Sequence, residues 1–389
     1  MLSKMHSFFS YGFRTFFVSA AAFAALSIFV WVGEYAGVLA NIGAVDPNTW
    51  HAHEMMFGYL SAVLAGFTLT AVANWTGRPA VSGTPLILLF VIWLAGRIGM
   101  AAALTGTGPL LPVAAIDMTF IPFFVFLFGR EVIAGGNKRN FAVVGAVSIF
   151  GVANLLFWLD ALDVFENDLS SRLALGTIGL LIALVGGRIT PAFTGNWLKA
   201  HGHQVTMPGM GFVDRTALLL TGTGALFWTI RPYSLITAAL LVLAGIVLLV
   251  RLSRWSGLLT LGEPLIAFLH LGYAFLGLSL VAIGFSIWQP DMLPPSSSLH
   301  LLTAGTIGLM TFVVMTRALL GHTGRPLIAT PVVAIALLLV AGAALLRAAA
   351  PWAPSLYVPL VAISGVAWSG GFLIFAMRFA PIVVQPQDP

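Results

Sequence analysis

Twelve runs of about twenty residues pass along this chain almost without charge. A run of that length crosses the hydrocarbon core of a bilayer as one helix. Lipid offers no partner to an open backbone, so such runs have no other way to satisfy their N–H and C=O groups. They lie near 15–38, 53–75, 84–104, 109–129, 141–160, 172–191, 212–230, 233–251, 264–288, 299–320, 327–347 and 355–378. Charged residues make up 8% of the chain, against about 25% in a soluble domain. The expected fold is an all-α integral membrane protein, a single membrane domain over 1–389 with twelve transmembrane helices.

One stretch organises the rest. Trp50 to Pro79 opens on His51, His53 and Glu54, runs apolar, and closes on Thr76-Gly77-Arg78-Pro79. The ending returns at Thr323-Gly324-Arg325-Pro326. At the same 247-residue offset His53 falls on His300 and Gly58 on Gly305. A third copy is offset by 129 from the last: Gly176 to Leu180 matches Gly305 to Leu309, Arg188 matches Arg317, and Thr194-Gly195 matches Thr323-Gly324. A head residue, a central glycine and a tail motif agreeing at one offset read as an internal repeat. The copies sit in the second, sixth and tenth runs. They predict three pseudo-repeated sets of four helices, with boundaries near 1–130, 131–255 and 256–389.

With the N-terminus inside, 18 Lys and Arg divide unevenly, and only Arg97, Arg172, Arg231 and Arg347 fall to the outer side. The positive-inside rule then puts both termini in the cytoplasm. The net charge of +5 comes from scattered single residues rather than a patch, which predicts no nucleic-acid partner. Cysteine is absent, so disulfides, thiolate metal sites and iron–sulfur clusters are excluded. Any metal must be held by His, carboxylate, Met or Tyr.

Ionisable groups inside a membrane are costly and are read first as functional. His53 and His300 come out at the outer ends of their helices at matching depth, as two imidazoles on one six-coordinate haem iron would. The plainer reading is two unrelated histidines bonded to loop carbonyls, and both readings stand. His51 and Glu54 are three apart and share a helix face, while His53 points about 100° away from Glu54. One helix end could thus serve a haem through His53 and a second metal or a proton path through His51 and Glu54. His51 in place of His53 as the haem ligand stays open, because helix onset shifts by a residue or two. His270 and Tyr273 share a face of the ninth run, as a ligand and a proton donor or as cross-helix bonds. Arg97 and Asp117 lie at similar depth, as a buried ion pair or with Arg97 on a haem propionate. Arg78, Arg188, Arg317 and Arg325 read as snorkelling anchors.

At these residues the chain resembles the NnrS family, bacterial membrane proteins linked to nitric-oxide stress and denitrification. The resemblance rests on Trp50 to Gly58, Asn74 to Pro79, Gly186-Gly187-Arg188 with Ile189, Pro191 and Phe193, Leu269 to Tyr273, and His300 to Pro326. It implies a b-type haem and copper in the bacterial inner membrane, with nitric oxide or a related small molecule as partner and an electron donor. More remotely the helix plan is similar to the catalytic subunit of haem–copper oxidases and nitric oxide reductases. That fold has three arcs of four helices, with a haem held by histidines of spans two and ten, which His53 and His300 match. Spans six and seven here carry no histidine and span ten has one at its outer end, so a copied binuclear centre is not expected. A second metal would be built by His51 and Glu54, with His270 as a further candidate.

Two functions of different class follow. One is redox chemistry on nitric oxide at a haem or haem/second-metal site, as in an oxidoreductase, with Glu54 and Tyr273 handling protons. The other is a twelve-span transporter of a metal, haem or small solute, with the histidines along its path.

Overall fold

The computed structural model describes residues 2–39, 43 and 45–386. Among these there is no strand. After a short helix, Leu2–Phe8, come α1 Gly12–Tyr35, α2 Pro47–Thr76, α3 Thr84–Leu104, α4 Leu110–Ala134, α5 Phe141–Ala161 and α6 Leu169–Ala200. Then follow α7 Phe212–Ile230, α8 Leu235–Ser253, α9 Pro264–Trp288, α10 Pro295–His322, α11 Pro331–Ala349 and α12 Tyr357–Val383. Among the described residues 11 helices are long and apolar enough to cross a membrane. The expected seventh span falls outside that set. α7 has 19 residues but brings Asp214 and Arg215 into its start, which lowers its mean hydropathy. The chain is a multi-pass membrane protein.

The chain divides into two compact units, Met1–Ala174 with Ala318–Arg325 and Phe372–Pro389, and Leu175–Arg317 with Pro326–Gly371. In the first, α1 packs on α2, and α4 packs on α2, α3 and α5. A Cβ at Gly66 would come 2.7 Å from the Phe17 ring, so this glycine lets α1 close onto α2. Arg14, 2% exposed, donates to the Val383 and Gln385 carbonyls at 3.1 and 2.6 Å. It thereby caps carbonyls that the end of α12 leaves without partners.

In the second unit α8 packs along α9. A Cβ at Gly245 would meet the Gly277 carbonyl oxygen at 2.4 Å, backbone that cannot swing aside. Gly245→Ala is therefore expected to lower stability by about 1–3 kcal/mol, the usual effect of overpacking. The drop should be seen as a lower thermal midpoint of the purified protein, with Gly342→Ala, where nothing lies within 4 Å of the added carbon, as the neutral control.

Three helices widen into π-helical turns: α2 at Glu54–Leu60, α6 at Ile182–Gly186 and α10 at Leu301–Ile307. Those in α2 and α10 are each 7 residues long and begin one residue after His53 and His300. They keep the 247-residue offset of the sequence repeat. The turn in α6 does not keep the 129-residue offset, since its partner residues 311–315 are α-helical.

Candidate functional site

Among the described residues, each unit holds a network of ionised side chains around a buried arginine. The first is built from α2. Asp46 accepts the Thr49 N–H at 2.9 Å and Pro47 takes the first helical position, so α2 starts three residues before Trp50. His53 and Glu54 then fall where the α-helix passes into the π-turn. That turn frees carbonyls, and neighbours take them. Trp93 of α3 donates its indole N–H to Gly58 at 2.8 Å, and Ser61 bonds to Phe57. Gly58 also leaves room for the site itself, because a Cβ there would come 2.6 Å from Nη1 of Arg97.

His53 is fully buried, and both of its ring nitrogens face carboxylates. Nδ1 lies 2.8 Å from Oε1 of Glu54 and Nε2 lies 3.2 Å from Oδ2 of Asp117. Arg97 of α3 bridges the same two carboxylates, Nη1 donating to Glu54 and Nη2 to Asp117. From α5, Asn154 and Trp158 donate to Oδ2 of Asp117 at 3.0 and 2.8 Å. Phe157 closes over the His53 ring at 4.4 Å between centroids. No member is more than 5% exposed. Two carboxylate acceptors are satisfied when both ring nitrogens donate, giving two anions and two cations.

His51 and Glu54, expected to share a helix face, meet different neighbours. His51 stacks on Trp31 of α1 at 4.4 Å, while Glu54 turns to His53 and Arg97. Arg97 is held between Glu54 and Asp117. The ion pair of Arg97 with Asp117, the plainer of the two readings, is present. Asn154 and Trp158 were not among the candidate residues. Their signal is an amide and an indole four apart in an otherwise apolar span, on one helix face.

The second network turns on Arg251, 1% exposed at the end of α8. Its Nε donates to Asp214 at 2.7 Å and its Nη1 to the Ala183 carbonyl and the Tyr273 hydroxyl at 2.7 and 2.9 Å. Its Nη2 reaches the Gly187 carbonyl at 3.3 Å. These carbonyls belong to the π-turn of α6 and to the residue four before Pro191, which has no N–H to offer. A guanidinium from the next helix replaces the missing donors. Gly187 makes space for it, since a Cβ would lie 2.3 Å from Nη1. Beside this network His270 lies 2.8 Å from the Thr194 hydroxyl, which itself donates to the Thr190 carbonyl at 2.8 Å. His270 Nε2 is therefore the donor, and its Nδ1 faces Gly257, where a Cβ would come within 2.4 Å. Arg251 and Asp214 were also missed. The arginine reads from sequence as a membrane-end anchor, and only Pro191 hints at carbonyls needing a donor.

His300 is differently placed. Its Nδ1 donates to the Ser296 carbonyl at 2.7 Å, which makes Nε2 the lone-pair nitrogen of the neutral ring. Metal-binding imidazoles are oriented by such a bond. His300 is thus a residue that could hold a haem iron. His53 in the arrangement described is not, because each of its nitrogens is spent on a carboxylate. For copper, among the described residues no group of three or more His, Asp or Glu side chains could hold a metal ion. His51 and Glu54 face different neighbours, and His270 is bonded to Thr194. Of the four arginines read as surface anchors, Arg317 is 8% exposed with its guanidinium 4.1 Å over the Phe193 ring. Arg78 pairs with Glu131 at 2.7 Å, and Arg325 reaches Gln385 at 2.7 Å.

No curated protein matches the chain. The family model described as NnrS protein matches residues 7–387. That span takes in both networks and every histidine discussed, and on it the chain belongs to the NnrS family.

Proposed function

We propose that this protein acts in nitric oxide metabolism or detoxification in the bacterial inner membrane, by redox chemistry on the gas at a haem. The family match over nearly the whole chain is the observation that carries the reading. His300 is the residue proposed to hold the iron, since its Nδ1 bond to Ser296 directs Nε2 as a ligand. The haem, when bound, would supply the site for nitric oxide and the electron. Glu54 and Tyr273 are proposed to handle protons. Oε2 of Glu54 is buried without a partner, and the Tyr273 hydroxyl accepts from Arg251 and keeps its own proton to donate. An electron donor is required, and both termini are assigned to the cytoplasm from the distribution of Lys and Arg.

A second arrangement, His53 and His300 on one haem within twelve helices in three sets of four, is favoured by the matched π-turns after both histidines. It requires the His53 ring to leave Glu54 and Asp117.

Visible spectra of the purified full-length protein, oxidised and reduced, test both. A Soret band is expected in the wild type, displaced on adding nitric oxide, with the gas consumed when a reductant is supplied. His300→Ala is expected to remove at least nine-tenths of the band, and His53→Asn to keep it. Loss of the low-spin spectrum in His53→Asn with the fold intact would select the two-histidine arrangement. Wild-type protein without a Soret band would end the haem reading.

A further inference from the structure

The end of the second unit that carries His300 contains a buried cation with no counterion among the described residues. Arg347 is 8% exposed in the last turn of α11. Its Nε and Nη1 are buried without a partner, and Nη2 makes one long contact, 3.5 Å to the Tyr357 hydroxyl. Asp291 of the α9–α10 loop is exposed, and among the described residues no carboxylate pairs with Arg347. The other buried arginines at network positions, Arg97 and Arg251, each have carboxylates.

Two hydroxyls share the predicament. Ser286, near the end of α9, and Ser297, in the first turn of α10, are 4% and 2% exposed, and their Oγ atoms have no partner. Both flank the α9–α10 loop. The segment Pro295–His300 packs on α9, on α11 and on the turn Ala350–Trp352 that follows Arg347. Trp352 of that turn donates to the Met292 carbonyl of the loop at 3.4 Å. The chain therefore gathers a guanidinium and two hydroxyls at one end of three mutually packed helices. All three can donate, and among the described residues no acid pairs with them. An unpaired buried charge is among the most destabilising features a core can hold, and buried donors without acceptors add to it.

We propose that Arg347, with Ser297 and Ser286, is a receptor for one oxyanion group, a carboxylate or phosphate carried on an apolar body. The apolar body follows from the surroundings: the ligand must bring its charge to helix ends lined by hydrocarbon. The proposal rests on the second unit alone and is independent of the redox reading. Two sources fit the chemistry, the phosphate of an anionic lipid and the carboxylate of an amphiphilic ligand.

The test uses the full-length protein, delipidated in a neutral detergent, and reads the thermal midpoint. The probes are dioleoylphosphatidylglycerol, oleate, and the uncharged methyl oleate and dioleoylglycerol. In the wild type at least one charged probe is expected to raise the midpoint by about 5 °C at a hundredfold excess over Kd, while the uncharged probes do not. A shift with the lipid alone assigns the phosphate, and a shift with oleate alone the carboxylate. Arg347→Gln is expected to abolish the shift and, without probe, to melt at or above the wild-type midpoint, since it removes a buried charge that nothing balances. Ser297→Ala should weaken binding about tenfold, which keeps the proposal testable if Arg347→Gln fails to fold. No shift with either charged probe would overturn the proposal, as would one that persists in Arg347→Gln or is matched by the uncharged probes.

Discussion

Asp117→Asn is expected to destabilise the protein by about 3–5 kcal/mol, the range for removing one partner of a buried ion pair. Asp117 accepts from His53, Asn154 and Trp158 and binds Arg97 through its other oxygen. Asparagine that keeps an acceptor for His53, Asn154 and Trp158 turns its amide N–H₂ toward Arg97, donor against donor. It also leaves Glu54 alone against two cations in a site where no member exceeds 5% exposure. Restoring the charge count should therefore repair part of the damage. Asp117→Asn with Arg97→Gln leaves Glu54 and His53 as a balanced pair, and should lose about 1–3 kcal/mol less than the two single changes together. The four members of this cycle can be compared by thermal midpoint and by the fraction eluting as a single species in detergent. A silent Asp117→Asn would mean that the network is not balanced by a doubly donating His53.

Much of the fold is legible in the sequence because lipid leaves the backbone few choices. The apolar runs become helices close to where hydropathy puts them, and α7 departs where Asp214 and Arg215 dilute the signal. The likeness of the second and tenth runs extends to matching π-turns, whereas the third copy, around Gly176, shares its motif but carries its π-turn out of that register. Pairing Arg97 with Asp117 needed only depth. Partners within the α2 turn were not legible in the same way. Regular helix geometry separates His53 from Glu54 by about 100°, but a long carboxylate side chain at the onset of a π-turn closes that gap to 2.8 Å. The Arg251 network was hidden for another reason: an arginine near the end of an apolar run resembles an anchor. Its burial depends on what α6 leaves unbonded in a different part of the chain.

That dependence makes Arg251→Met the other change of large expected effect. Methionine replaces most of the volume, so the loss is polar rather than a cavity. Asp214 would keep Arg254 at 3.0 Å and the Gly211 N–H at 2.9 Å, but lose its buried partner. The Ala183 and Gly187 carbonyls would each be left without the arginine's donor, at about 1–3 kcal/mol apiece. With the broken ion pair the expected total is roughly 5 kcal/mol or more, without strict additivity. Gly187→Ala attacks the same contact from the opposite side, pushing a Cβ into the guanidinium. The combination with Arg251→Met should therefore be much milder than the sum, because the clash disappears with the guanidinium. Pro191→Ala separates this account from a general intolerance of α8. It returns an N–H that can bond the Gly187 carbonyl within α6. In the Arg251→Met background it should recover about 1 kcal/mol, read as a raised thermal midpoint, and in the wild type it should recover less because the arginine already bonds that carbonyl. Equal gains in both backgrounds would show that Arg251 is not there to serve the carbonyls of α6.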